Sequence, residues 1–240
     1  MPDHAMVDET LDILCNGKVR VIQKKKGYRF SMDPLLLANF ILLKRHETLL
    51  DVGTGCGIIP IYMARRGCIN RLVGIEIQDE LFDLALRNRD LNGCGNVEFF
   101  KGDVRDKGRG LGCFHVIVSN PPYVKAKTGR RSPGASRLVA RHESELDLEA
   151  LLSCAASLLS TGGRLYLIYP AKRLGEIVHG AKSRHLEAKR IRFVHSRAGE
   201  PAKLLMIELL KGGGVGVKVE PPLYLYADGA YTEEVEAYYA

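Results

Sequence analysis

Short apolar runs alternate with amphipathic stretches through the middle of the chain, the pattern of an α/β domain with a mostly parallel sheet. The runs predict strands over Thr48–Val52, Arg71–Ile77, Val97–Phe100, Phe114–Ser119, Arg164–Tyr169, Arg190–Val194 and Lys203–Leu210. Helices are predicted between them. Ile58–Arg66 follows the first strand, and Asp79–Asn92 follows the second with Leu81, Leu84, Ala85 and Asn88 at helical spacing. Ser144–Leu159 places Leu148, Leu151, Leu152, Ala155 and Leu159 on one face, and Thr161-Gly162-Gly163 is the expected stop. Ala171–His185 reads as a further helix.

Two pieces lie outside this alternation. The arm Lys18–Ser31 reads as a hairpin turned at Lys24-Lys25-Lys26-Gly27, and a helix opens near Asp33-Pro34. The tyrosine-rich tail, with Tyr224, Tyr226, Tyr231, Tyr238 and Tyr239, reads as a small appendage packed on the domain. The expected division is therefore an N-terminal arm over 1–43, a core over 44–212 and an appendage of the same domain over 213–240.

Composition narrows the class. Hydrophobic residues make up 46% of 240 and charged residues 26%, enough apolar surface to order a globular chain and exclude a disordered one. The apolar run Leu35 to Leu43 is interrupted by Asn39 and too short to span a bilayer. Asp3, Asp8, Glu9 and Asp12 stand where an export signal needs basic and then apolar residues, so a cytoplasmic protein is expected. The six cysteines form no CxxC pair and no zinc spacing, which reads as reduced residues and no metal.

The formal net charge is +7, but its placement matters more. Lys125, Lys127, Arg130, Arg131, Arg137 and Arg141 crowd one segment that contains no acid, whereas both ends of the chain are acidic. A local basic patch beside acidic ends fits an anionic partner met at one place, such as a nucleic acid; the alternative is a solvated loop.

The sharpest local signal is Leu49-Leu50-Asp51-Val52-Gly53-Thr54-Gly55-Cys56-Gly57-Ile58. An apolar strand ends at an acid, enters a glycine-rich turn and opens a helix, the arrangement in which open α/β sheets bind ligands at a strand's carboxyl end. A dinucleotide fingerprint would need glycine where Ile58 or Pro60 stands, and no Walker lysine follows, so the turn fits a nucleoside pocket. The next strand ends on Glu76, placed to accept from both ribose hydroxyls. The third ends before Asp103, placed to accept from an adenine amine. Either acid alone would read as a helix cap or a solvent-facing charge. The fourth strand runs into Asn120-Pro121-Pro122-Tyr123. The Asn120 side-chain oxygen and the Pro121 carbonyl can each accept one N–H of an amine, localising its lone pair. The prolines hold both acceptors in place, and Tyr123 offers a ring for a planar substrate.

Together these elements resemble class I S-adenosylmethionine-dependent methyltransferases of the amino-methylating type. The resemblance implies a Rossmann-like, seven-stranded, mostly parallel sheet with helices on both faces. It implies that Asp51, Gly53, Thr54, Gly55, Gly57, Glu76, Ile77, Asp103, Val104 and Asn120 hold S-adenosylmethionine, with S-adenosylhomocysteine as product. It also makes Asn120, Pro121, Pro122 and Tyr123 the catalytic group, with no metal and no covalent intermediate.

The ends of the chain narrow the substrate. Asp8-Glu9-Thr10-Leu11-Asp12, Val21-Ile22-Gln23, Gly27-Tyr28-Arg29-Phe30-Ser31, Asp33-Pro34-Leu35-Leu36-Leu37-Ala38, Arg141-His142-Glu143, Pro221-Pro222-Leu223-Tyr224-Leu225-Tyr226 and Gly229-Ala230-Tyr231-Thr232 resemble a bacterial tRNA methyltransferase family. That family acts on N6 of an anticodon-loop adenine in valine tRNA. Pro34 departs from its pattern, where a small residue is expected, but suits a helix start. The resemblance implies tRNA as partner, held by the six basic residues of Lys125–Arg141 while the base turns out into the pocket. It implies no membrane and leaves monomer and weak dimer open. Protein-glutamine methylation is the second reading, and a non-catalytic RNA-binding protein of the same fold is the third.

Overall fold

The computed structural model describes residues 6–26, 29, 31–68, 70–122 and 147–239. The chain opens with a hairpin, β1 (Glu9–Leu14) and β2 (Val19–Lys24), and a short helix α1 (Asp33–Phe40). The core follows as β3 (Leu49–Val52), α2 (Ile58–Arg65), β4 (Leu72–Glu76), α3 (Asp79–Asn92), β5 (Val97–Lys101), α4 (Val104–Lys107) and β6 (Phe114–Ser119). Beyond it come α5 (Leu148–Leu158), β7 (Leu159–Pro170), α6 (Leu174–Lys182), β8 (Leu186–His195) and β9 (Ala202–Lys211). Short strands β10 (Lys218–Val219), β11 (Leu223–Tyr224), β12 (Tyr226–Ala227) and β13 (Ala230–Tyr231) lead to α7 (Glu233–Tyr239).

The seven expected strands lie in one sheet in the order β5-β4-β3-β6-β7-β9-β8. Within that order β9 runs antiparallel to both neighbours and the rest are parallel. Side-chain alternation divides the core between the two faces. Leu49, Leu72, Val116, Val118, Tyr166 and Ile168 pack with α1, α2 and α3. Leu50, Val73, Ile117, Leu165 and Leu167 pack with α5 and α6 on the other face. Each fully buried aliphatic side chain contributes about 1.5–3 kcal/mol. α1 carries Pro34 in its first turn, as the Asp33-Pro34 start predicts, and buries Leu35, Leu36 and Leu37. Among the described residues no helix is long and apolar enough to cross a membrane.

Three expectations are corrected. The hairpin turns at Cys15-Asn16-Gly17, not at the lysines, because all three adopt positive φ, at 52°, 51° and 88°. Asn-Gly tolerates that geometry, and the strand pair Glu9–Leu14 with Val19–Lys24 closes around it. Lys24 instead ends β2 and pairs with Asp8 at 3.0 Å. Gly162-Gly163 does not stop a helix. α5 ends at Leu158, β7 has already begun, and Gly162 at φ +73° lies where the pairing with β6 skips between Phe114 and Val116. The strand expected to reach Ile77 ends at Glu76, and Ile77 is exposed.

The sheet is also wider than expected. β10 and β11 both pair in parallel with β8, giving nine strands. Val219 lies opposite Ile191 and Leu223 opposite Val194, so Glu220-Pro221-Pro222 hold one residue more than the strand they follow.

Gly74 in β4 has a packing reason. A Cβ there would stand 2.6 Å from Phe99 Cδ1 and 2.8 Å from Thr54 Oγ1. Gly74→Ala is therefore expected to cost roughly 1–3 kcal/mol of stability by overpacking, read as a lowered urea midpoint at unchanged slope.

Candidate functional site

β3 lies between β4 and β6; α2 follows β3 on one face of the sheet and α5 comes after β6 on the other, the reversal at whose carboxyl ends open α/β sheets bind ligands. The turn after Val52 needs its glycines: Gly53, Gly55 and Gly57 adopt φ of 72°, 59° and 83°. The backbone N–H groups of Gly53 and Thr54 both donate to the Ile75 carbonyl, at 2.9 and 3.1 Å, tying the turn to β4. A Cβ built on Gly53 meets nothing within 4 Å, so the turn borders open space there.

Two buried carboxylates flank this turn. Asp51 is 2% exposed, and Thr54 Oγ1 donates to its Oδ2 at 2.6 Å. Burial lifts its carboxyl from the ordinary 3.8 to about 7, opposed by the Thr54 hydrogen bond and reinforced by the nearby Glu76. Glu76 is 4% exposed and accepts from Gly55 N–H through Oε2 and from Gln78 N–H through Oε1, both at 2.9 Å. Each carboxylate oxygen retains lone-pair capacity beyond its one backbone donor.

The raised Asp51 gives a pH effect with a definite sign. Between about 4 and about 7 the folded protein holds a proton that the unfolded chain has released, so stability falls as pH rises through that window. The penalty is absent below the window and complete above it. Asp51→Asn is expected to remove a slope approaching 1.4 kcal/mol per pH unit there. Urea midpoints of both proteins at pH 5 and pH 7.5 check this; parallel changes in the two would contradict it.

Asp103 reaches the same edge but is engaged. It caps α4 by accepting from Arg105 N–H at 2.8 Å, and the Arg105 guanidinium binds both its oxygens. That hydrogen-bonded cation holds its carboxyl below the usual range. Val104 beside it is buried. Asn120 follows β6 directly and is half-buried, Pro121 is buried and Pro122 exposed. Ser119 Oγ donates to the Val52 carbonyl at 2.7 Å, which fastens the end of β6 to the end of β3 just before Asn120. The structure thus brings Asp51, the glycine turn, Glu76, Asp103 and Asn120–Pro122 to one sheet edge. Tyr123 and the basic residues Lys125, Lys127, Arg130, Arg131, Arg137 and Arg141 lie outside the described residues.

Sequence reasoning missed Ser119 and Phe99. The Phe99 ring fills the space that side chains on Gly57 and Gly74 would take, at 2.5 and 2.6 Å. A glycine inside a strand was the available signal, since it marks a close approach.

This strand order with a glycine turn at the sheet's switch point is the class I methyltransferase architecture. A crystallised protein from Agrobacterium tumefaciens, described as a predicted O-methyltransferase, shares it with TM-score 0.70 at 24% identity, over 86% of this chain and 94% of that one. The chain belongs to the methyltransferase small domain family, whose model matches residues 26–176. Membership implies use of S-adenosylmethionine. Among similar proteins, a tRNA1(Val) (adenine(37)-N6)-methyltransferase of Porphyromonas gingivalis is 35% identical over 164 residues, 66% of this chain and 64% of that protein. One of the same name from Phocaeicola vulgatus is 31% identical over 188 residues, 78% of this chain and 79% of that protein. The match thus spans just under two thirds of the first relative's length.

Proposed function

We propose that this protein transfers the methyl group of S-adenosylmethionine to N6 of an adenine in tRNA. The observation that carries the reading is Asn120-Pro121 at the end of β6, fastened through Ser119 to β3 beside the buried Asp51 and Glu76. The names of the similar proteins support adenine N6 and tRNA as the substrate. The donor set fits the cofactor: Asp51 is buried beside a second acid, Glu76, so a cationic ligand would relieve it. Glu76 has acceptor capacity for two hydroxyl donors, and the open side of Gly53 leaves room along the turn.

In this reading Asp51, Gly53, Thr54, Gly55, Gly57, Glu76, Ile77 and Val104 hold the cofactor, Glu76 through the ribose. Asp103 serves there with its Arg105 partner, so its contact to an adenine amine uses a carboxylate that already accepts from a guanidinium. Bound S-adenosylmethionine supplies a methyl group already activated on sulfur. The protein's part is to present the nitrogen. Asn120 Oδ1 and the Pro121 carbonyl each accept one N–H, which turns the lone pair out of the ring's π system and stabilises the positive charge that develops during attack. The attacking amine needs no prior deprotonation, so no strong base is required. Pro122 stiffens the segment, and Tyr123 stacks on the base. Lys125, Lys127, Arg130, Arg131, Arg137 and Arg141 meet the RNA phosphates. In this reading residues 44–212 form the catalytic core, 1–43 an arm packed on it, and 213–240 an appendage of the same domain that adds β10 and β11 to the core sheet.

Incubation with methyl-labelled cofactor and separate pools of tRNA, DNA and peptide-release factor tests this reading. Label is expected in tRNA, as N6-methyladenosine after nuclease digestion. Label in protein alone would overturn the substrate assignment, and no labelling with no cofactor binding would overturn the enzyme.

A further inference from the structure

α3 presents two asparagines to the hairpin, four residues apart and so on one helix face. Both are buried, Asn88 completely and Asn92 at 7% exposure. Their amides act as a surrogate strand along the edge of β2 that β1 leaves unpaired. Ile22 N–H donates to Asn88 Oδ1 at 2.7 Å, and Asn88 Nδ2 donates back to the Ile22 carbonyl at 3.1 Å. Arg20 repeats the exchange with Asn92, at 2.9 and 2.6 Å. Two residues along β2 are thereby satisfied without a third strand. One residue before Asn88, Arg87 grips the buried Glu9 of β1, its Nη1 and Nη2 each donating to one carboxylate oxygen at 2.8 Å.

The two asparagines differ in one respect. The second donor of Asn92 closes back on its own helix, at the Asn88 carbonyl. That of Asn88 leaves the helix and reaches the Cys56 carbonyl at 3.0 Å, inside the glycine turn. The peptide joining Cys56 to Gly57 is planar, so holding its carbonyl toward α3 aims its N–H the opposite way. That N–H donates to the Thr54 carbonyl at 3.0 Å, and Thr54 Oγ1 in turn donates to Asp51. A continuous set of bonds therefore runs from β2 through Asn88 to the carboxylate at the site.

We propose that Asn88 is a positioning residue for the cofactor: it orients the Cys56–Gly57 peptide, and through it couples the seating of the hairpin to occupancy of the glycine turn. The proposal rests on the cofactor site assigned above. Asn92 has the same bond pattern toward the arm and no bond to the turn, which makes it the internal control.

The test is calorimetric binding of S-adenosylhomocysteine to wild type, Asn88→Ala and Asn92→Ala, with thermal unfolding of each. Both variants are expected to unfold at lower temperature. Asn88→Ala is expected to bind about tenfold more weakly, and Asn92→Ala within about threefold of wild type. Equal losses in the two, or no loss in Asn88→Ala, would reduce Asn88 to holding the arm and overturn the proposal. Should Asn88→Ala not fold, hydrogen exchange on wild type decides. Saturation with S-adenosylhomocysteine is expected to slow the Ile22 amide, bonded to Asn88, several-fold more than the Arg20 amide, bonded to Asn92. Equal slowing at both, or none, overturns the coupling. A wild-type protein that binds no S-adenosylhomocysteine defeats the cofactor assignment itself, and this proposal with it.

Discussion

Asn120→Ala is expected to lower the methyl-transfer rate on the order of a hundredfold or more while leaving cofactor affinity unchanged. The reasoning is differential. An exocyclic amine bound in the ground state has little charge for the Asn120 oxygen to stabilise, whereas the attacking amine gains a full positive charge. The backbone that carries this acceptor is tied to β3 by the Ser119 bond and stiffened by Pro121, so little reorganisation is needed at that moment. Single-turnover rates with saturating tRNA, beside calorimetric cofactor binding, separate the two quantities. Normal turnover by the folded variant would remove the amine-presentation mechanism. A parallel loss of cofactor affinity would move Asn120 from presenting the amine to holding the cofactor.

Glu76→Ala is expected to weaken S-adenosylmethionine binding roughly tenfold to a hundredfold, from the ~1.5–3 kcal/mol of a charged acceptor. Removing this carboxylate also leaves the Gly55 and Gln78 N–H groups without the acceptor they share, so the turn itself loosens. Glu76→Gln separates these contributions. It keeps one acceptor oxygen but sets an NH2 against the other N–H donor, so it should fall between wild type and alanine both in affinity and in unfolding midpoint. Equal affinity of all three proteins would contradict the ribose assignment.

How much of this was legible differs between elements for physical reasons. The central strands and α3 could be read almost to the residue, because buried parallel strands are apolar runs and α3 is amphipathic and ends before Gly93. The acids Asp51 and Glu76 stood out because each ends such a run at a glycine or a helix start. Three consecutive lysines before Gly27 suggest a turn there, whereas Asn16-Gly17 hold the positive φ that a two-strand turn needs. Gly162-Gly163 looked like a helix stop, but a strand bulge makes the same demand for positive φ. The bonds of Asn88 and Ser119 to distant carbonyls were illegible for a different reason. They join residues 32 and 67 positions from their partners, and a side-chain amide or hydroxyl carries no mark of which backbone group it will meet. Asp103 lies between these cases: its cap on α4 is the ordinary reading of an acid at a helix start, whereas its grip by the Arg105 guanidinium two residues on depends on the folded backbone.

The short strands laid along β8 also bear on how these molecules behave at high concentration. A ten-residue strand at the flank of a sheet would offer a row of open backbone groups to any neighbouring chain. Here part of that row, at Arg190–Ile191 and Val194–His195, is taken by β10 and β11 of the same chain, and the new flank is a poor template. It is two residues long at each end, interrupted by the extra residue around Glu220-Pro221-Pro222, and two of its positions carry no N–H at all. The Arg192 guanidinium donates to the Pro221 carbonyl at 3.0 Å and pairs with Glu234 of α7, so charged groups stand over the gap. Along that part of the flank the sheet ends in a form that another strand extends poorly, which works against side-to-side aggregation.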